Sequence, residues 1–129
     1  NFKSTYAWTG AYDFVAPVLF ADVKLDAFFL EYDDERSGSF EPLKYIKDQF
    51  VVLGLFTSKR PQLEDKEVIK ARIKEASKYV PLDHICISTQ CGFASTEEGN
   101  NLTEGEEFNK LKHIIAISKE IWKWKLFNY

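Results

Sequence analysis

The chain has 129 residues, the length of one ordinary domain, with 45% hydrophobic and 29% charged residues, a normal globular composition. A net charge of -3 and a pI near 5.4 argue against a general nucleic-acid binder. No apolar run approaches the ~20 residues needed to span a bilayer, so no membrane role is expected. The first residues, Asn1-Phe2-Lys3-Ser4, lack the basic and apolar pattern of a signal peptide, and the expected location is the cytoplasm. There is no methionine, and aromatic residues make up 16% of the chain. Both features suggest a segment of a larger protein.

The first dozen residues are aromatic and irregular, like a loop. Asp13 then stands where an N-cap would be, before a helix carrying Val15, Val18, Leu19 and Phe20. Pro17 is tolerable only near that helix's start. The apolar run Leu25-Asp26-Ala27-Phe28-Phe29-Leu30 turns abruptly acidic at Glu31, Asp33 and Asp34. Glu41 to Asp48 suits a short helix. Phe50-Val51-Val52-Leu53-Gly54-Leu55-Phe56 has the near-continuous apolarity of a strand covered on both faces, and Thr57-Ser58-Lys59-Arg60-Pro61 forms its polar, basic tip.

Asp65 can cap a helix in which Ile69, Ile73, Ala76 and Val80 recur at helical spacing before Pro81 stops it. The strand-length run Ile85-Cys86-Ile87-Ser88-Thr89-Gln90-Cys91-Gly92 follows and closes on a thiol and a glycine. A polar loop leads to Thr103 and Glu106, spaced as a capping box. The last helix is expected to bury Phe108, Leu111, Ile115, Ile121 and Trp122, and to run to about Trp124. Helices and strands thus alternate, which predicts an α/β fold of parallel βα units. Three parallel strands leave two edges unpaired. A complete (β/α)8 TIM barrel takes ~250 residues, so residues 1–129 would be the C-terminal portion of one such domain, its last three strands.

The chemistry gathers at the strand tips, where parallel α/β folds bind ligands. Glu31 and Asp33 alternate onto one face and suit metal ligation or an acid–base pair; the competing reading is solvated loop acids. Thr57, Lys59 and Arg60 are candidates for holding a substrate carboxylate or phosphate, against a plain cationic loop. Cys91, followed by a glycine that admits close backbone approach, is a candidate soft-metal ligand, against an inert buried thiol. Cys86, in mid-strand, is expected to be buried and inert. An extended chain holds Cys86 and Cys91 roughly 16 Å apart, which disfavours a mutual disulfide. His84 precedes its strand and His113 lies mid-helix, so both are expected to be structural.

Three stretches carry a resemblance. Glu31-Tyr32-Asp33-Asp34-Glu35-Arg36-Ser37-Gly38, Gly54-Leu55-Phe56-Thr57-Ser58-Lys59-Arg60-Pro61 and Gln90 to Gly99 resemble the C-terminal catalytic barrel of cobalamin-independent methionine synthase, above all its short bacterial homologues. The likeness covers nearly the whole chain. It implies a catalytic zinc held by a histidine, two cysteines and a carboxylate. The second cysteine would be Cys91 and the carboxylate Glu31, with Asp33 as the alternative that strand parity does not separate. The remaining His and Cys ligands belong, by the resemblance, to a strand tip upstream of Asn1. It further implies a zinc-dependent methyltransferase that activates homocysteine, or a similar thiol, as a zinc thiolate. The methyl group would come from a methylated folate or another donor, forming methionine, and the isolated segment would be inactive. Where the synthase has a histidine, this sequence has Lys59. Lysine is a poorer general acid near neutrality, which bears on the folate-dependent half of the reaction.

Two alternatives stand beside this one. The chain would otherwise be a non-catalytic fragment or interaction module that self-associates through its sheet edges. A related barrel using Glu31 and Asp33 without metal is the third.

Overall fold

The computed structural model describes residues 10–94 and 97–122. Its centre is a three-stranded parallel sheet in the order β1 (Ala27–Glu31), β2 (Phe50–Phe56) and β3 (Ile85–Thr89). The helices are a short α1 (Ala16–Leu19), α2 (Lys66–Ala76) between β2 and β3, and α3 (Glu104–Trp122) after β3. Short 3₁₀ turns at Tyr12–Phe14, Glu35–Ser37, Glu41–Tyr45 and Leu82–His84 fill the connections.

Local chemistry accounts for most of these boundaries. The Asp65 carboxylate accepts from the backbone N–H groups of Glu67 and Val68 at 2.8 and 3.0 Å, capping α2. Ile69, Ile73 and Ala76 on α2, with Val80 beyond its end, are buried against the sheet. Thr103 and Glu106 form the expected reciprocal box: the Glu106 carboxylate accepts from the Thr103 N–H at 2.7 Å, and the Thr103 hydroxyl accepts from the Glu106 N–H at 3.3 Å. The expected end of α3 near Trp124 lies outside the described residues, as do the first nine residues and Ser95 and Thr96 of the polar loop.

The first helix differs from expectation. Asp13 lies inside the Tyr12–Phe14 turn rather than capping a helix, and the cap position, Ala11, makes no side-chain bond. Pro17 does sit in the first turn of α1. Ala16 and Phe20 are buried there, whereas Val15 and Val18 are exposed.

On α3 the buried stripe is Lys110 and Ile117, with Ile114, Ile121 and Trp122 packed against the core, while Phe108, Leu111 and Ile115 are exposed. Lys110 is fully buried, and its ammonium donates to both oxygens of Glu64 at 2.8 and 3.1 Å. That partner lets a lysine hold a core position, which shifts the buried face by one residue from the apolar pattern.

The two faces of the sheet are unequal. Phe28, Leu30, Val51, Leu53 and Ile85 are buried in the core. The lateral row Phe29–Val52–Cys86 occupies the other face; Phe29 is 78% exposed, and Cys86 is exposed rather than buried as its mid-strand place suggested. Among the described residues nothing covers that face. Closure of a barrel is what would bury it.

Candidate functional site

Glu31 is the last residue of β1, and Cys91 lies two residues beyond the end of β3. The strands bearing them are separated by β2, yet the Cys91 thiol donates to Glu31 Oε1 at 3.5 Å. The register explains how they meet. Glu31 pairs with Gly54 and Gly54 with Ser88, so the residue between the two tips has no side chain. A Cβ built on Gly54 would lie 2.9 Å from Gln90 Cα and 3.1 Å from the Leu30 carbonyl, both main-chain atoms. Glycine therefore lets the Gln90–Cys91 backbone close over the end of β2. The Gln90 N–H donates to the Phe56 carbonyl at 2.8 Å and the Ser58 hydroxyl donates to Gln90 Oε1 at 3.3 Å, which ties the tips of β2 and β3 together.

Glu31 is fixed twice. The Tyr12 hydroxyl accepts from the Glu31 N–H at 3.0 Å, occupying a donor on the open edge of β1. Arg36 Nη2 donates to Glu31 Oε2 at 3.2 Å and to Asp33 Oδ1 at 2.7 Å, and its Nε donates to Asp34 Oδ1 at 2.8 Å. Asp33 is thereby drawn into the ion pair, with 4% of its side chain exposed, whereas the Glu31 side chain stays 40% exposed. Of the two carboxylates that sequence parity left together, Glu31 is the one the fold sets beside Cys91.

Burial, and then the neighbouring Glu31 charge, push the Cys91 thiol above its ordinary pKa, while the Lys59 ammonium pulls the other way. Lys59 thus acts on the same locale by its charge. Its N–H donates to the Thr57 hydroxyl at 3.3 Å. Thr57 is buried, its N–H donating to Glu64 Oε1 at 3.0 Å, and Arg60 is exposed. The histidines lie elsewhere: His84 stacks on Phe50 at 4.8 Å, and His113 Nε2 is 2.8 Å from the Glu64 carbonyl oxygen.

The fit of a metal ion rests on the Cys91–Glu31 pair. A thiol and a carboxylate in contact both gain from a cation that replaces the shared proton. Thiolate sulfur and carboxylate oxygen are both donor types that zinc accepts, and here the two side chains stand 3.5 Å apart. These residues suit two of four ligand positions. Among the described residues no group of three or more His, Cys, Asp or Glu side chains is placed to hold a metal ion.

Residues 15–120 match the family described as cobalamin-independent synthase, catalytic domain. The chain belongs to that family. Two uncharacterized proteins of Bacillus subtilis strain 168, YxjG and YxjH, are 54% and 53% identical over 125 residues, a match covering 95% of this chain and 33% of each relative. A crystal structure of a Listeria monocytogenes protein assigned as a vitamin-B12 independent methionine synthase matches with TM-score 0.69 and 45% identity over 84% of this chain and 31% of that one. A B12-independent methionine synthase from Shewanella sp. W3-18-1, solved in complex with selenomethionine, matches with TM-score 0.72 over 94% of this chain and 33% of its own. At 22% identity that likeness speaks to the fold alone. The chain therefore spans about a third of the relatives it matches. Its three parallel strands with their α/β crossovers are part of the barrel fold of that family, and Phe29 and Cys86 are exposed on one face of the sheet. No helix among the described residues is long and apolar enough to cross a membrane.

Residue spacing did not single out Arg36, Tyr12 or Gly54. The signal for Arg36 was present: one cation follows Glu31, Asp33, Asp34 and Glu35 within five positions. Tyr12 and Gly54 act through partners distant in sequence, and nothing local marks them.

Proposed function

We propose that this chain supplies half of the metal site and part of the substrate site of a zinc-dependent thiol S-methyltransferase of the methionine synthase kind. The supporting observation is the 3.5 Å contact between Cys91 Sγ and Glu31 Oε1 across the side-chain-free Gly54. In this reading Cys91 and Glu31 are ligands, and a histidine and a second cysteine come from residues outside this chain. When bound, zinc supplies Lewis acidity that keeps an acceptor thiol such as homocysteine ionised at neutral pH.

The chain's own side chains do the rest. Glu31 brings a carboxylate, and Cys91 a thiol that a bound cation would deprotonate, to one point at the barrel mouth. Lys59, whose charge acts on Cys91, is the candidate proton donor to the methyl donor's leaving group, and because lysine is a poor acid near neutrality a methylated folate is the less favoured donor. Arg60, exposed beyond it, meets an anionic group of that donor. Thr57 shapes the loop by accepting from the Lys59 N–H.

The test is zinc content and methyl transfer in the intact polypeptide carrying this segment. Near-stoichiometric zinc that falls sharply in Cys91→Ser is expected; zinc unchanged by that substitution removes Cys91 from the metal. Comparing folate and other donors with homocysteine then identifies the reaction.

A second reading has its own support in the exposed Phe29 on an uncovered sheet face. The isolated segment would then self-associate through that face and its strand edges. Size-exclusion chromatography decides: a well-folded monomer rules this out.

A further inference from the structure

We infer that Arg36 is a positioning residue that divides the Glu31 carboxylate, holding one oxygen so that the other faces Cys91. The inference deepens the zinc-site reading above and rests on it. Arg36 lies in the 3₁₀ turn Glu35–Ser37, immediately after the acidic tip of β1. The turn is built to aim that side chain backwards. The Asp34 carboxylate accepts from the Arg36 N–H at 3.1 Å, and Gly38 leaves the turn at φ 72°, a left-handed conformation that glycine adopts without strain. A Cβ on Gly38 would also sit 2.5 Å from Ala11 Cβ. The Arg36 carbonyl in turn accepts from the Gly10 N–H at 3.4 Å, joining this turn to the segment that carries Tyr12.

The guanidinium that results is 8% exposed and spans three carboxylates. Its contacts are not equivalent. Asp33 and Asp34 take the two short bonds, at 2.7 and 2.8 Å, and offset its charge. Glu31 takes the longest, at 3.2 Å, through Oε2 alone. Oε1 is left for Cys91. An arginine with no other anion would neutralise Glu31 and repel a cation; one already balanced by two aspartates orients Glu31 and leaves its charge for the metal. The planar fork matters here, because a lysine ammonium is a point charge that cannot bridge three carboxylates in fixed directions.

Outer-shell partners of metal ligands typically contribute ~10–100-fold in metal affinity. The experiment measures zinc affinity by competition with a chromophoric chelator, in the intact polypeptide. It compares wild type with Arg36→Gln, Arg36→Lys, Cys91→Ser and, as a control, Lys44→Gln, which removes an exposed ion pair with Glu41. Arg36→Gln should weaken zinc ~10–100-fold, Arg36→Lys less so, and Lys44→Gln not at all. The visible spectrum of the cobalt(II)-substituted protein should shift in Arg36→Lys, a signature that a purely structural role would not move. Wild-type affinity and spectrum in Arg36→Gln overturn the inference while leaving the zinc reading intact. Should Arg36→Gln not fold, Arg36→Lys decides by the same two measurements. A wild type that holds no zinc overturns the zinc reading, and the role of Arg36 with it.

Discussion

The Glu64–Lys110 pair makes the most quantitative claim about stability. Lys110 is fully buried in the middle of α3, and Glu64, just before α2, retains 17% side-chain exposure. Glu64 also accepts from the Thr57 N–H at 3.0 Å, so a single carboxylate joins α3 to the tip of β2. Replacing Lys110 by Met keeps much of the stem's bulk and removes the charge, leaving Glu64 without its counter-ion. Breaking a buried pair from one side costs about 3–5 kcal/mol, and the residual exposure of Glu64 puts this case near 3. Glu64→Gln should cost a similar amount, because it strands a fully buried ammonium. Glu64→Gln with Lys110→Met keeps the acceptor for Thr57 and buries no charge. The double variant should therefore lose ~2 kcal/mol less than the sum of the single losses. Urea unfolding of the four proteins measures this coupling. Additivity within ~0.5 kcal/mol would refute the pair as the reason a lysine sits in the core.

Other consequences follow from the tips and the helix surface. Gly54→Ala puts a methyl against main-chain atoms that cannot rotate away, and should destabilise by ~1–3 kcal/mol; an unchanged urea midpoint would mean the tips do not approach as closely as 2.9 Å. Tyr12→Phe removes the acceptor for the Glu31 N–H and should cost about 1 kcal/mol, with faster hydrogen exchange at that amide; exchange at the wild-type rate rejects the contact. Lys66 and Lys70 hold the exposed Glu120 carboxyl below its ordinary value, at about 2. A depressed acid stabilises the fold above its unfolded pKa, and the effect declines as pH falls towards the folded value. The stability gap between wild type and Glu120→Gln should accordingly narrow from pH 5 to pH 3 and shrink in high salt; a gap independent of both contradicts the α2–α3 tie.

What the sequence revealed depended on how local each cause was. The bounds of β2, the Asp65 cap and the Thr103–Glu106 box are set by residues within a few positions of one another, and each appears where its pattern predicts. The face of α3 is not local. Lys110 interrupts the apolar row formed by Ile114, Ile117 and Ile121, so the competing row through Phe108, Leu111 and Ile115 looked better. Only Glu64, 46 positions earlier, makes Lys110 acceptable in the core. Cys86 misled for another reason: its mid-strand place suggested burial, and it lies on the sheet face where Phe29 too is exposed.

The carboxylates at the end of β1 show the same limit at the site itself. Alternation along a strand assigns Glu31 and Asp33 to a common face, and no spacing argument distinguishes them. The distinction comes from Arg36, which binds Asp33 at 2.7 Å and buries it, and holds Glu31 by one oxygen only. The absence of a side chain at Gly54 then opens the path from Glu31 to Cys91. A strand pattern can thus report which residues reach the mouth of a barrel. Which of them remains available for chemistry is decided by neighbours that satisfy the others first.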